Sequence, residues 1–312
     1  MDRPSEYSFT RYLDAKKRLD DRALNRPVWE ALILALPAAS AGAPLKVLEV
    51  GCGIGTMPER LIDWGALTQA TYTGLDIRAD NIEAARERLL AYARRRGFDT
   101  EEASGGRLLF KGRGRCLDLR FEAVDLFDFL AREKSGKTAW DLLVAHAFLD
   151  LVALPGTLPP LLSLMRPGGF FYFTHNFDGA TILEPEIDAD LDRQIEALYH
   201  QDMHQACEGS DCTGRRLFAH LTQAGARILA AGSSDWVVFP IDRSYPDDEA
   251  YFLHFIIHTI HEALKGHPQL DDKRFDGWVE QRHTQIDRGE LIYIAHQLDF
   301  VGVVGGGRGT FL

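Results

Sequence analysis

Glycines at alternate positions, preceded by an acidic residue, are the first feature of this sequence that could carry chemistry. Gly51, Gly53 and Gly55 follow Glu49 within one short stretch. Glycine lets the chain turn sharply and lets its backbone approach a ligand closely. The N–H groups that are free where a helix begins favour a negatively polarised ligand. This spacing favours a nucleotide-binding turn, although a glycine pattern alone does not identify the nucleotide.

Acidic and imidazole groups recur at the ends of the next predicted strands. Asp76 ends a strand over residues 70–77, and Asp125 ends another over 119–125. A carboxylate at a strand end can accept both hydroxyls of a ribose. His146 closes a fourth strand, at the crevice where open sheets bind ligands. Each acid taken alone is also typical of a helix N-cap, but two acids in register with the glycine turn favour a ligand site.

Alternating strands and helices are expected to position these groups. An apolar run at 45–50 is typical of a strand buried on both faces, and a helix follows over 57–64. Further strands and helices alternate through a fifth strand at 170–175. This order predicts an α/β, Rossmann-like fold with a doubly wound, mostly parallel sheet. We expect seven strands, one of them antiparallel near residues 291–304, and an α-helical cap.

Composition narrows the class of protein. The chain has 312 residues and a formal net charge of −11, so phosphate backbones would repel it and nucleic acid is not an expected partner. No apolar run approaches the ~20 residues that cross a bilayer, and the first residues lack a signal peptide, so we expect a cytoplasmic protein that does not insert into membranes. Cys207 and Cys212 have no matching pair, and no metal site is predicted. The sequence leaves a homodimer open.

Four ordered motifs carry a family resemblance. The stretch from Val47 to Gly55 resembles the first motif of class I S-adenosylmethionine-dependent methyltransferases, an acidic residue followed by G-x-G-x-G. Similar features of that family stand at residues 74–77, 124–126 and 165–169. The resemblance covers residues 45–177 closely and the rest in outline. It implies a methyltransferase domain over residues 45–312 with S-adenosylmethionine as cofactor.

The resemblance also implies roles for single residues. The cofactor's amino-acid end and ribose would lie against the glycine turn, with Glu49 beneath it, while Asp76 would hold the ribose and Asp125 the adenine edge. Residues 1–44 would form helices that cover the cofactor site, with Lys16, Arg22 or Arg26 near the cofactor carboxylate. Cap insertions are expected at about 178–216 and 243–289. The implied cofactor-binding residues are Glu49, Gly51, Cys52, Gly53, Gly55, Asp76, Ile77, Asp125, Leu126 and His146.

Two other functions remain open from the sequence. A dinucleotide fingerprint reads G-x-G-x-x-G, whereas Thr56 stands here where the third glycine should be, so an NAD-dependent oxidoreductase is the weaker alternative. A methyltransferase-like scaffold without turnover is the other, and the intact glycine and acid positions argue against it.

The methyl acceptor is expected to be a small molecule that reacts at oxygen or nitrogen. The candidate catalytic residues are His146, Asn176, Asp178 and His254. Asn176 and Asp178 would follow the fifth strand at the crevice, or their side chains would bond a local turn. His254, His258 and His261 share a helical stripe that more simply packs against the sheet. Further candidates for the acceptor pocket are Glu184, Glu186, Tyr199, His200, Asp235 and Trp236.

Overall fold

A computed structural model describes residues 3–40, 42–133, 139–206 and 213–305. Within these ranges the strands are β1 (Leu45–Val50), β2 (Gln69–Asp76), β3 (Asp99–Ala103), β4 (Arg107–Gly112), β5 (Arg115–Ala123), β6 (Trp140–His146), β7 (Met165–Glu184), β8 (Ala226–Ser233), β9 (Trp236–Val238) and β10 (Ile292–Val304). The helices are α1 (Phe9–Ala15), α2 (Lys17–Ala23), α3 (Arg26–Ala35), α4 (Thr56–Asp63), α5 (Ala79–Arg96), α6 (Leu126–Glu133), α7 (Leu154–Ser163), α8 (Ala189–Ala206), α9 (Thr213–Gln223), α10 (Glu249–Leu264) and α11 (Asp272–Asp287). Cys207 and Cys212 lie outside the described residues.

One sheet runs through the molecule in the order β3-β4-β5-β2-β1-β6-β7-β10-β8, with β9 paired to β10. Strands β5, β2, β1, β6 and β7 are parallel neighbours, and β10 is antiparallel to both β7 and β8. The predicted Rossmann-like, mostly parallel sheet is therefore confirmed. The prediction of seven strands is wrong, because the described residues form ten. Strands β3 and β4 make an additional antiparallel hairpin at the edge of the sheet, and β9 is too short to show a period in the sequence.

The first strand is buried on both faces, as its apolar run predicts. Successive side chains of a strand point to opposite faces. Leu45 and Val47 join a core built with α3, α4 and α5. Leu48 and Val50 join a second core built with α6, α7 and α9. Helices on both faces hold β1 at the centre of the sheet, which fixes where the glycine turn leaves it.

The predicted helical cap forms over an extension of the sheet. Helices α8, α10 and α11 enclose a third core with the first half of β10. The prediction that the fifth strand ends at residue 175 is wrong, because β7 continues to Glu184. Its backbone groups stay paired there with β10, in a register that reaches Ile292 opposite Glu184. This pairing removes the loop that the sequence suggested at residues 176–179.

The N-terminal segment forms three helices, α1, α2 and α3. Helix α1 ends before Lys16, and α3 begins after Asn25, whose side chain accepts a bond from the Val28 N–H as an N-cap. Helix α3 packs against β8 and β10, and α1 contacts α10. Among the described residues, no helix is both long enough and apolar enough to cross a membrane.

Candidate functional site

The larger cavity of the described structure opens at the carboxyl ends of β1, β2, β5 and β6. Its volume is about 350 Å³, within the ~300–1,000 Å³ common for small-molecule sites. Helix α1 covers it, and Phe9, Leu13 and Lys16 complete the wall. The predicted residues that line it are Glu49, Gly51, Cys52, Gly53, Asp76, Ile77, Asp125, Leu126 and His146.

The glycine turn separates into a ligand-facing part and a packing part. Gly51 has φ +66°, and a Cβ there would lie 2.2 Å from a ring carbon of Phe148, so only glycine fits. Gly55 does not line the cavity, and its predicted contact with the cofactor stays a prediction. A Cβ on Gly55 would lie 3.1 Å from that of Ala85. Gly55 therefore allows α4 and α5 to approach each other.

Glu49 lies beneath the turn with 1% of its surface exposed. The Tyr72 hydroxyl donates to its carboxylate. Burial raises the pKa of Glu49 to about 7, against the opposing effects of the Tyr72 hydrogen bond and the Arg60 charge. A cationic ligand group beside this carboxylate would favour its charged form.

The Asp76 carboxylate is fixed at the end of β2 by three donors. The Gly53 N–H donates to Oδ2 at 2.9 Å, the Arg78 N–H donates to Oδ1 at 2.9 Å, and the Asn81 amide donates to Oδ1 at 3.2 Å. Each carboxylate oxygen accepts about two bonds, so Oδ2 keeps capacity for a ligand hydroxyl. Asn81 also lines the cavity. Sequence reasoning missed it, because it stands on the predicted helix and reaches the site only through the register of α5.

Asp125 caps the N-terminus of α6, as the helix-cap alternative predicted, and it also faces the cavity. Its Oδ1 accepts from the Phe127 N–H at 2.8 Å, at the start of α6. Asp125, Leu126 and the exposed ring of Phe127 all line the cavity. One carboxylate thus starts a helix and borders the ligand space.

A buried polar network lies under the β6 end of the cavity, centred on Asp20 of α2. Its Oδ2 lies 3.2 Å from the Lys16 ammonium and 3.3 Å from the Arg60 guanidinium, and its Oδ1 accepts from the Trp236 indole at 3.0 Å. Burial alone would raise the pKa of Asp20, but Lys16 and His146 hold it well below its ordinary value. Sequence reasoning missed Asp20 because its partners lie up to 216 residues away.

His146 lines the cavity, but both of its ring nitrogens are engaged by protein groups. Nδ1 lies 2.8 Å from the Thr174 hydroxyl, and Nε2 lies 3.0 Å from Asp20 and 3.2 Å from Arg60. Either neutral tautomer satisfies both nitrogens. Burial and the Arg60 charge hold the pKa of His146 well below its ordinary value. His146 is therefore a neutral wall residue, and its predicted catalytic role has no free ring nitrogen to support it.

Asp20, His146 and His175 each offer one potential metal-ligand atom, all within 4.8 Å of one another. Sequence reasoning did not find this group. The charge of Asp20 is already balanced by Lys16 and Arg60 at hydrogen-bonding distance. A divalent cation would face both fixed positive charges at close range, so we do not assign a metal site here.

Asn176, Asp178 and His254 do not line the cavity, which contradicts their predicted place at the crevice. The Asn176 amide donates to the Leu298 carbonyl at 2.8 Å inside the β7–β10 pair, and Asp178 accepts from the Arg215 N–H at 2.6 Å. His254 contacts His283 of α11 at 2.9 Å, so it is buried between two helices of the cap and not against the sheet as the packing alternative predicted. For Asn176 and Asp178 the cause is the continuation of β7, which carries them away from the edge where β6 ends.

The remaining acceptor-pocket candidates also lie outside this cavity. Tyr199 borders a smaller cavity of about 40 Å³ in the cap, and His200 lies 3.1 Å from the Thr181 hydroxyl. Asp235 accepts from His296 and Ser233, and Trp236 donates to Asp20. The others that do not line the large cavity are Glu184, Glu186, Arg22 and Arg26.

No protein-family model matches the chain, and no curated protein sequence matches it. The chain is similar in fold to SpnF, described as a cyclase, at 17% identity and a TM-score of 0.42, over 94% of this chain and 82% of that one. It is similar to a Thiobacillus denitrificans SAM-dependent methyltransferase bound to S-adenosyl-L-homocysteine, at 15% identity and a TM-score of 0.43. The match covers 96% of this chain and 99% of that one. It is also similar to the plantazolicin methyltransferase BpumL bound to SAH, at 13% identity and a TM-score of 0.41. The match covers 94% of this chain and 88% of that one. Similarity this distant does not assign an activity to this chain, so its function has to be inferred from its own cavity.

Proposed function

We propose that this protein is an S-adenosylmethionine-dependent methyltransferase that transfers a methyl group to oxygen or nitrogen of a small-molecule acceptor. The observation that carries the proposal is the placement of Glu49, Asp76 and Asp125 with the glycine turn around one cavity. These groups end or follow three adjacent strands, β1, β2 and β5. They match the ammonium, the ribose hydroxyls and the adenine amino group of the cofactor in type and in order.

The described residues fit this cofactor at each of its parts. Asp76 Oδ2 would accept a ribose hydroxyl, and the Asp125–Leu126 segment would meet the adenine edge. Glu49 and the backbone of Gly51 and Gly53 would hold the amino-acid end. When bound, the cofactor supplies a methyl group on a cationic sulfur that an acceptor lone pair can displace in line. The protein's part is to align the two molecules and to exclude water beneath α1.

Other features are consistent with this proposal. The net charge of −11 disfavours a nucleic-acid acceptor, so we propose a small molecule. A cytoplasmic location and a homodimer stay predictions.

Calorimetric titration with S-adenosylmethionine, S-adenosylhomocysteine and NAD, run in parallel, tests the proposed function. We expect the first two to bind and NAD not to bind. Asp76→Ala should weaken S-adenosylhomocysteine binding by roughly tenfold or more, because ribose hydroxyls lose a charged acceptor worth about 1.5–3 kcal/mol.

Glu83→Ala is the matched control for that variant. Glu83 lies on α5, is exposed and does not line the cavity, so its loss should leave affinity unchanged. Equal affinity in Asp76→Ala and the wild type would remove the ribose role. Binding of NAD alone would replace the proposal with an oxidoreductase, and no binding of any of the three would favour a scaffold.

A further inference from the structure

The strand order separates a cofactor end of the cavity from an acceptor end. Asp125, Asp76, Gly51 and His146 stand at the ends of β5, β2, β1 and β6, which are consecutive neighbours in the sheet. Neighbouring strands lie ~4.8 Å apart, so these groups span the cavity in that order. With adenine and ribose at Asp125 and Asp76, the reactive methyl faces the β1–β6 side. The acceptor therefore enters at the end formed by β6, the segment after it and α1.

The acceptor end has an apolar wall. Phe148, Leu151 and Val152 line it from the segment after β6, and Phe9 and Leu13 line it from α1. Leu151 is 63% exposed and Phe9 is 41% exposed, so the apolar surface continues to the cavity mouth. Exposed large apolar side chains around a pocket mark a surface that a ligand covers. The body of the acceptor that fits this wall is apolar.

Lys16 is the buried cationic side chain on that wall. It is 6% exposed, and its Nζ lies 3.2 Å from Asp20 and 5.1 Å from the centre of a Trp236 ring. Arg78 also lines the cavity, but its side chain is half-exposed and paired with Asp80. An ammonium has three N–H donors, so a bond to Asp20 leaves donors for a ligand. The carboxylates that line the cavity, Glu49, Asp76 and Asp125, belong to the cofactor end. The acceptor end therefore favours an anion and repels a protonated amine.

Among the described residues that line this end, no side chain has a free basic atom, since Asp150 of the same segment does not line the cavity. Both nitrogens of His146 bond to protein groups, and Lys16 is paired. An acceptor that needs its proton removed by the enzyme finds no partner for that step among the described residues that line this end. A carboxylic acid is already ionised near neutral pH and needs none.

We propose that the acceptor is an apolar carboxylic acid, held through its carboxylate by Lys16 and methylated on oxygen. This inference rests on the proposed function and narrows its acceptor. A carboxylate lone pair forms the new O–CH₃ bond while the C–S bond breaks and its electron pair returns to sulfur. The products are a neutral methyl ester and S-adenosylhomocysteine, and no proton moves in the step. Lys16 acts by placing the oxygen beside the methyl group.

Three probes with one apolar body and different head groups test the charge preference without turnover. Phenylpropanoate, phenylpropylamine and phenylpropanol would each be titrated into the full-length protein saturated with S-adenosylhomocysteine. We expect the acid to bind roughly tenfold or more tighter than the amine and the alcohol, a difference of ~1.4 kcal/mol or more. Addition of S-adenosylmethionine should then convert the acid to its methyl ester, which mass spectrometry detects. Equal or tighter binding of the amine would overturn the inference.

Lys16→Met removes the charge and keeps most of the side-chain volume, and Lys16→Arg keeps the charge. We expect Lys16→Met to lose the preference for the acid, Lys16→Arg to keep it, and S-adenosylhomocysteine affinity to stay within about threefold in both. Lys17→Met is the matched control, because Lys17 is the next residue, pairs with Asp21 at 2.7 Å and does not line the cavity.

Two results with these variants would contradict the assignment to the acceptor. One is an acid preference that survives Lys16→Met. The other is a loss of S-adenosylhomocysteine binding in Lys16→Met alone, which would place the ammonium on the cofactor's own carboxylate. If the wild type bound no S-adenosylhomocysteine, the proposed function itself would fail, and that result is distinct from both.

Discussion

Glu49 is a carboxyl group held out of water directly beneath the turn that would bind the cofactor. Its pKa rises from 4.5 to about 7 through burial. The folded protein therefore holds this proton more tightly than the unfolded chain does. Stability from this group is greatest below pH 4.5, falls as the pH rises from 4.5 to 7, and stays low above that window. The total change is roughly 3 kcal/mol.

Glu49→Gln should abolish that dependence, because an amide does not ionise. Urea unfolding of wild type and variant at pH 5, 6, 7 and 8 measures it. We expect similar free energies of unfolding near pH 5, a more stable variant at pH 8, and weaker S-adenosylhomocysteine binding in the variant. Glu83→Gln, at an exposed position of α5, should follow the wild type at every pH. Parallel curves for wild type and Glu49→Gln would show that Glu49 does not titrate in this window.

Single residues were predictable where a local pattern places them. Glu49, Asp76 and Asp125 stand at strand ends that hydrophobic runs define, and all three line the cavity. Asn176 and Asp178 have the same local pattern, but pairing with β10 extends β7 through them. That pairing joins residues more than 100 positions apart, so no local pattern in β7 reveals it. His175 likewise has a buried ring whose nearest charged group, Asp20, comes from a helix near the N-terminus.

Helix α2 ties the N-terminal segment to the carboxyl edge of the sheet. Asp20 bonds side chains from α4, β6 and β9 at once, through Arg60, His146 and Trp236. Helix α1 directly precedes α2 in the chain, and its Leu13 lies 3.2 Å from the position of a Cβ on Gly53. The place of α1 over the cavity therefore depends on a carboxylate that does not itself line it.

Asp20→Asn should be strongly destabilising, because it leaves the buried Lys16 and Arg60 without their shared negative charge. Removal of one partner from a buried ion pair costs about 3–5 kcal/mol. Asp14→Asn is the control, since the Asp14 side chain is 50% exposed and pairs with Arg88 outside this network. Urea unfolding of both variants measures the difference. Equal stability of the two would mean that Asp20 does not hold the network together.

Strands and helices whose hydrophobic residues recur with a clear period were predicted. Strands whose bounds depend on pairing with residues distant in the sequence were not. Strands β1, β2, β5 and β6 and helices α4 and α5 follow hydrophobic runs and helical spacing in the sequence. Strand β9 has three residues and owes its pairing to β10. The length of β7 depends on β10 as well. Helices α10 and α11 of the cap enclose a hydrophobic core together with β10.

At the scale of the whole molecule, three hydrophobic cores stabilise different parts of the fold. Two cores on opposite faces of the sheet fix the carboxyl edge where the cavity opens. The third core joins the cap to the extended β7–β10 pair and to Ala15 and Leu19 of the N-terminal helices. The cap therefore supports the segment that closes the cavity. This arrangement places the cavity of about 350 Å³ at the carboxyl edge of the sheet.

A crystal structure of the protein with S-adenosylhomocysteine tests the central claim most directly. We expect the adenine beside Asp125 and Leu126, a ribose hydroxyl at hydrogen-bonding distance from Asp76 Oδ2, and the amino-acid end on Gly51 and Gly53 above Glu49. The sulfur should face the space beside Lys16 and Phe148. Density for the ligand at any other place, or an empty cavity in crystals grown at saturating ligand, would contradict the proposed methyltransferase.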